Sequence, residues 1–283
     1  MRAAIYEIRA ICEDFRMQVI GGAQGAFDLW NSCVIPSLLY NCSVWTGIKK
    51  SEIRILDNLQ HEMIRVILRI PSSTPLPALR GATGLMGMEW RIWKEKLLLI
   101  HSIKKTKDSC LANQILEEQI ALGFPGPAEE ATEICRIVGL PDICTEEVGI
   151  RDIKSGIHNH HLKMLEKEMQ SLKKCNMLIS TDLKKPQPYL TNSCLEETRM
   201  SFRLQCQMLD IPGDMKTKYK GRTECQDCLP WGLQDEDSPN ITQEHLMECP
   251  AYSNLRTGRD LENNMRDKTQ YFMDVMKIMK ARK

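Results

Sequence analysis

SEIRILDNLQHEMIRVILRI, residues 51–70, decides the fold class. Ile53, Leu56, Leu59, Met63, Ile64 and Ile67 recur at spacings of three and four, the interval at which side chains return to one side of an α-helix. Arg54, Arg65 and Arg69 fall largely off that stripe, and Ser51 carries a hydroxyl suited to capping the first turn. The same period extends in both directions. Upstream, FDLWNSCVIPSLLYNCSVW (27–45) is nearly continuous in apolar residues and reads as a deeply buried helix that kinks or restarts at Pro36. Downstream, Pro71 and Pro75 bound a turn before a short helix around Leu79. MEWRIWKEKLLLIHSIKK (88–105) then places Trp90, Trp93, Leu97 and Ile100 on one helical face.

Further helices are expected near 108–122, 128–139, 157–179 and 194–209. Their separators are rich in residues that break helices: GFPGP at 123–127, GLPD at 139–142, KKPQP at 184–188 and IPGD at 211–214. No convincing alternation of apolar and polar residues marks a strand before the last cysteines, and no internal repeat is present. The expectation is a mostly α protein: an elongated multi-helix array over 1–215, divided near 107, then a small metal-centred unit over 216–256. A C-terminal helix within 257–283 would end in the basic tail KIMKARK.

With 283 residues the chain is long enough to bury a core without staples. Its 38 Lys and Arg balance 37 Asp and Glu to a net charge of +1, so no overall field draws it to phosphate. No run approaches the roughly 20 apolar residues of a membrane helix, and the first 20 residues lack the continuous apolar centre of a secretory signal. A soluble, intracellular protein is expected, nuclear or cytoplasmic, with no membrane partner. Of twelve cysteines, Cys12, Cys33, Cys42, Cys110, Cys135, Cys144, Cys175, Cys194 and Cys206 are scattered singly and read as reduced, small, buried side chains.

The other three stand in a pattern. In ECQDCLPWGLQDEDSPNITQEHLMEC (224–249), Cys225 and Cys228 are two residues apart, and His245 and Cys249 follow after 16 residues. A pair separated by two residues reaches two corners of a tetrahedron from one tight turn, and a pair at i and i+4 shares a helical face. The spacing fits a closed Cys3His zinc site with no vacant position for substrate. GIHNHHLKM (156–164) brings His158, His160 and His161 close in sequence, but no cysteine or carboxylate is spaced to complete a site; a helix start with a solvated polar face is expected there.

The phrases LWNSCVIPSLLYNCSVW, LDNLQHEMIRVILRIPSSTP, GATGLMGMEWRIWKEKLLLIHSI and ETRMSFRLQCQML, in that order, and then TECQDC followed by NITQEHLMECPAYSNLR, resemble the segment that follows the polymerase core in non-LTR (LINE-type) retrotransposon reverse transcriptases. The resemblance covers nearly the whole chain. It implies a thumb-like helical domain over 1–107, a helical connector over 108–215 and a zinc knuckle over 216–256 with Cys225, Cys228, His245 and Cys249 as ligands. The 16-residue spacer is longer than in many relatives, so LPWGLQDEDSPN would form a loop hanging off the site.

Reverse transcription requires carboxylates that hold two metal ions about 4 Å apart, and the family supplies them in part through adjacent aspartates. No two aspartates are adjacent in this chain, and DEDS (235–238) reads as a solvated charge patch, so no catalysis is expected. The resemblance implies a role in gripping nucleic acid, RNA or DNA. Lys216, Lys218, Lys220, Arg222, Lys277, Lys280, Arg282 and Lys283 are candidates for phosphate contacts, and Tyr219 and Trp231 for stacking on unpaired bases. The alternatives are a zinc-stabilised helical scaffold with a protein partner, and a decayed element remnant.

Overall fold

A computed structural model of the protein describes residues 22–71, 74–107, 109–172, 183, 185–191, 194–211, 225, 227 and 240–281. The described chain is mostly helical and contains no β-strand. In chain order the helices are α1 (Gly22–Leu29), α2 (Ile35–Leu38), α3 (Lys50–Leu68), α4 (Leu76–Thr83), α5 (Met88–Lys104), α6 (Leu111–Leu122), α7 (Pro127–Val138), α8 (Ile150–Gln170), α9 (Leu195–Gln205), α10 (Gln243–Glu248), α11 (Ser253–Arg256) and α12 (Met265–Ala281).

The stripe read from residues 51–70 is the inner face of α3, fully buried at Met63, Ile64, Ile67 and Leu68 and half-buried at Ile53, Leu56 and Leu59. Its start differs from expectation. Helical geometry begins at Lys50, which puts Ser51 inside the first turn, and the Glu52 carboxylate reaches back to accept the Lys49 N–H at 2.8 Å. A glutamate there satisfies an orphan donor and also complements the positive end of the helix dipole.

Pro36 restarts the helix as its missing N–H requires, through a π-helical turn over Trp30–Val34 in which the Ile35 N–H bonds the Trp30 carbonyl. Ser32 Oγ donates to the Asp28 carbonyl at 2.8 Å. The expected deep burial of this stretch holds for one side only. Phe27, Trp30, Ile35, Leu38 and Cys42 are buried, whereas Cys33 is exposed and Tyr40 is 74% exposed. A run this rich in apolar residues, with only short polar side chains between them, does not reveal which face a helix turns inward.

α8 begins at Ile150, seven residues before the position expected from sequence, and its last helical residue is Gln170. Gly156 lies inside the helix, where a Cβ would lie 2.8 Å from the Leu140 side chain, so this glycine permits close packing and does not end a helix. Gly84 has the opposite role: its φ of +66° closes α4 in the left-handed region, with the Gly84 N–H donating to the Arg80 carbonyl at 2.8 Å.

Three apolar clusters hold the helices. The first joins α1, the C-terminal half of α3, α4, Met88 and Ile92 of α5, Leu162, Leu165 and Met169 of α8, and Phe202 of α9. The second joins Leu97 and Ile100 of α5 to Leu116 of α6, Ile134 and Cys135 of α7, and Ile153 and Ile157 of α8. The long helices α5 and α8 therefore each serve two clusters. α9 leads into the third, where Leu204 meets Cys225, Leu246, Cys249, Tyr252, Tyr271, Phe272 and Val275. Ser201 Oγ and Thr269 Oγ1, 2.8 Å apart and buried, tie α9 to α12.

Candidate metal centre

The third cluster carries the site. Thr242 caps α10 by accepting the His245 N–H on its hydroxyl at 3.1 Å, which fixes the single helical turn that follows. His245 and Cys249 then lie one turn apart, with the Cys249 N–H bonded to the His245 carbonyl at 2.7 Å. Cys249 leaves helical geometry at ψ 123°, and Pro250 ends the turn. Cys225 arrives from 24 residues upstream.

The two sulfurs are 4.0 Å apart, and the donor atoms of Cys225, His245 and Cys249 all lie within 4.8 Å of one another. A tetrahedral zinc with Zn–S bonds of about 2.3 Å needs its sulfurs roughly 3.8 Å apart. The two sulfurs thus fit a shared ion with a shift of a few tenths of an ångström, and the His245 ring lies near enough to turn toward the same ion. Cys225 is 1% exposed and Cys249 0%, and His245 is half-buried. Burial holds the His245 imidazole below its ordinary pKa, with Glu248 opposing, so the ring favours the neutral form that can donate a lone pair. Two thiols and an imidazole are a donor set suited to zinc.

The surroundings fix the backbone of the ligands. Tyr271, fully buried, donates its hydroxyl to the Leu246 carbonyl, and Tyr252 donates to the Asp227 carboxylate beside Cys225. Arg256 Nη1 donates to the Cys249 carbonyl at 2.8 Å. Leu246, fully buried between the two α10 ligands in sequence, anchors that turn in the apolar cluster.

Three of the four expected ligands therefore converge. Cys228 lies outside the described residues, as do Lys216, Lys218, Tyr219, Lys220, Arg222, Trp231, Arg282 and Lys283. Lys277 and Lys280 are exposed on α12, with Lys277 Nζ 3.9 Å from Asp274. No other group of three potential metal ligands occurs among the described residues.

The histidine tract is not a helix start with a solvated face. His158, His160 and His161 fall in the middle of α8, and His161 is buried, its ring 5.9 Å from that of Trp90, with His160 at 5.2 Å. Burial, aided by Arg80, lowers the His161 pKa to about 4. His61, 0% exposed in α3, is lowered to about 4 for the same first cause. Sequence reading missed His61 and also Asp57. The Asp57 carboxylate pairs with Arg80 at 2.7 Å and accepts the Met88 N–H at 2.9 Å, capping α5 from another helix. A charge on the edge of an apolar stripe is the only sequence signal such a residue gives.

The cysteine expectation also needs amendment. Cys42, Cys135, Cys144 and Cys206 are buried as expected, Cys110 and Cys194 are half-buried, and Cys33 is exposed; Cys12 and Cys175 lie outside the described residues. No disulfide joins two described cysteines. No described helix is long and apolar enough to cross a membrane. Compared with protein-family models, with curated proteins and with solved structures, the chain finds no match.

Proposed function

We propose that the chain is a non-catalytic nucleic-acid-binding protein, akin to the post-core region of a LINE-type reverse transcriptase, whose C-terminal unit is fastened by structural zinc on Cys225, Cys228, His245 and Cys249. The observation that carries the zinc assignment is the convergence of Cys225, His245 and Cys249 on one small, largely buried volume. A closed four-ligand site organises the chain and leaves no position for substrate. The nucleic-acid part is supported by the sequence resemblance and by the basic run Lys216, Lys218, Lys220 and Arg222 just before the first ligand, with Lys277 and Lys280 exposed on α12.

Metal analysis of the purified protein tests the first part: one zinc per chain is expected, lost in Cys225→Ser. Full zinc retention in that variant removes the assignment. Binding to single-stranded RNA, single-stranded DNA and duplex at two salt concentrations tests the second. Four phosphate contacts predict a loss of about 50-fold in single-strand affinity between 50 and 200 mM salt. Absence of salt-sensitive binding to all three refutes it.

A further inference from the structure

A cavity of about 350 Å3 opens between α3, α5 and α7, on the second apolar cluster and outside the metal centre. Its apolar lining comes from Ile53 of α3, Ile92 and Trp93 of α5, and Ile134 and Ile137 of α7. Ile134 is buried, but Ile137, one turn further on the same helix, is 37% exposed. The apolar surface therefore continues out of the core onto the wall of the groove.

The charges around it are unequal. Four carboxylates, Glu89, Glu129, Glu130 and Glu133, line the groove with two ammonium groups, Lys50 and Lys96. Lys96 is sequestered: its side chain is buried and paired with Glu130, whose other oxygen accepts the Gly47 N–H at 2.7 Å. Glu133 is held by Arg136 through two bonds of 2.6 and 2.7 Å. Glu129 and Glu89 make no hydrogen bond or ion pair with another described residue. Glu89 is also half-buried; that burial and the nearby Asp57 push its carboxyl above the usual range, while Lys50 and Arg80 act on it from a distance. Of the two, Glu89 is partly withdrawn from water and makes no hydrogen bond or ion pair with a described residue, so it gains most from an incoming cation, while Glu129 is exposed.

We propose that this groove docks a segment of a protein partner that presents an apolar side chain next to a lysine or arginine. The apolar side chain would enter between Trp93 and Ile137, and the cation would meet Glu129 and Glu89. An apolar floor with an excess of negative charge at its edge, four carboxylates against Lys50 and Lys96, is the arrangement in which floor contacts supply affinity and the edge selects the sign of the partner. The same carboxylates disfavour phosphate. The groove is thus not itself suited to phosphate, and the inference does not depend on the zinc reading.

The probe is a fluorescently labelled amphipathic peptide of leucine and lysine, titrated with the full-length protein beside a leucine and glutamate peptide of the same pattern. The Leu/Lys peptide is expected to bind with one-to-one stoichiometry and the Leu/Glu peptide at least tenfold more weakly. Glu129→Lys and Ile137→Glu, both at exposed positions of α7, should each weaken the Leu/Lys peptide at least tenfold with the circular dichroism spectrum unchanged. Having two separate variants keeps the test decisive should one perturb the helix. Failure of the Leu/Lys peptide to bind, equal binding of the two peptides, or affinity within twofold of wild type in the folded variants overturns the proposal. Loss of single-stranded RNA binding in folded Ile137→Glu would overturn it too, by assigning the groove to nucleic acid.

Discussion

Acidification from pH 7 to pH 5 should destabilise this protein through two core histidines. His61 and His161 have folded-state pKa values of about 4 against 6.5 for the free side chain, first because both are withdrawn from water. Arg80 opposes protonation of both, and Asp57 favours it. The unfolded chain binds protons at these sites before the folded chain does. Stability is therefore present above pH 6.5 and is lost as pH falls toward 4. Between pH 7 and pH 5 linkage gives about 2 kcal/mol for each histidine and about 4 kcal/mol for the two. Urea unfolding at both pH values measures this. Carboxylates titrating in the same range affect wild type and variant alike, so the informative quantity is the difference between them. His61→Leu breaks no hydrogen bond to a described residue, because neither ring nitrogen has a partner there. It should be at least as stable as wild type at pH 7 and lose about 2 kcal/mol less at pH 5. An identical acid loss in the two proteins would refute the assignment of His61 as a buried neutral base.

Other consequences follow from single contacts. Buried Arg199 donates Nε and Nη2 to the Ile67 carbonyl at 3.2 and 3.0 Å, joining α9 to the end of α3, so Arg199→Met should cost about 3 kcal/mol in urea unfolding. Arg203→Met, which removes an exposed bond to the Arg69 carbonyl, should cost under about 1 kcal/mol. Gly84→Ala forces a Cβ to 3.0 Å from the Pro186 nitrogen at φ +66° and should cost about 1–3 kcal/mol. Cys110, at the start of α6, has its thiol pKa lowered by the backbone around Ala112 and by Thr106, whereas burial raises Cys42, Cys135 and Cys144. Mass spectrometry after brief iodoacetamide treatment at pH 7 should find Cys110 alkylated well ahead of those three.

The fold class was legible because a 3.6-residue period is written along one dimension. The stripe at Ile53 to Ile67 needs no knowledge of its partners to be recognised as the inner face of α3. The breaks at GFPGP and GLPD were legible for a similar local reason, since proline and glycine restrict or free the backbone of their own residue. Gly156 shows where that logic stops: whether a glycine ends a helix or admits a neighbour depended on Leu140, sixteen residues away. The pair His245 and Cys249 was legible as one helical turn, and its meeting with Cys225 followed from ligand spacing.

By itself, then, the sequence determined the helices and most of their breaks, because each depends on interactions within a few residues, and the identity of three converging ligands, because their spacing is that of a metal site. Tertiary structure alone decided which side of FDLWNSCVIPSLLYNCSVW is buried, that His61 and His161 are core groups held neutral, that Asp57 caps α5 and that Glu89 and Glu129 flank an apolar groove. Those properties belong to pairs of residues far apart in the chain. Burial and charge pairing are set by what packs against a side chain, and in this protein that is mostly another helix.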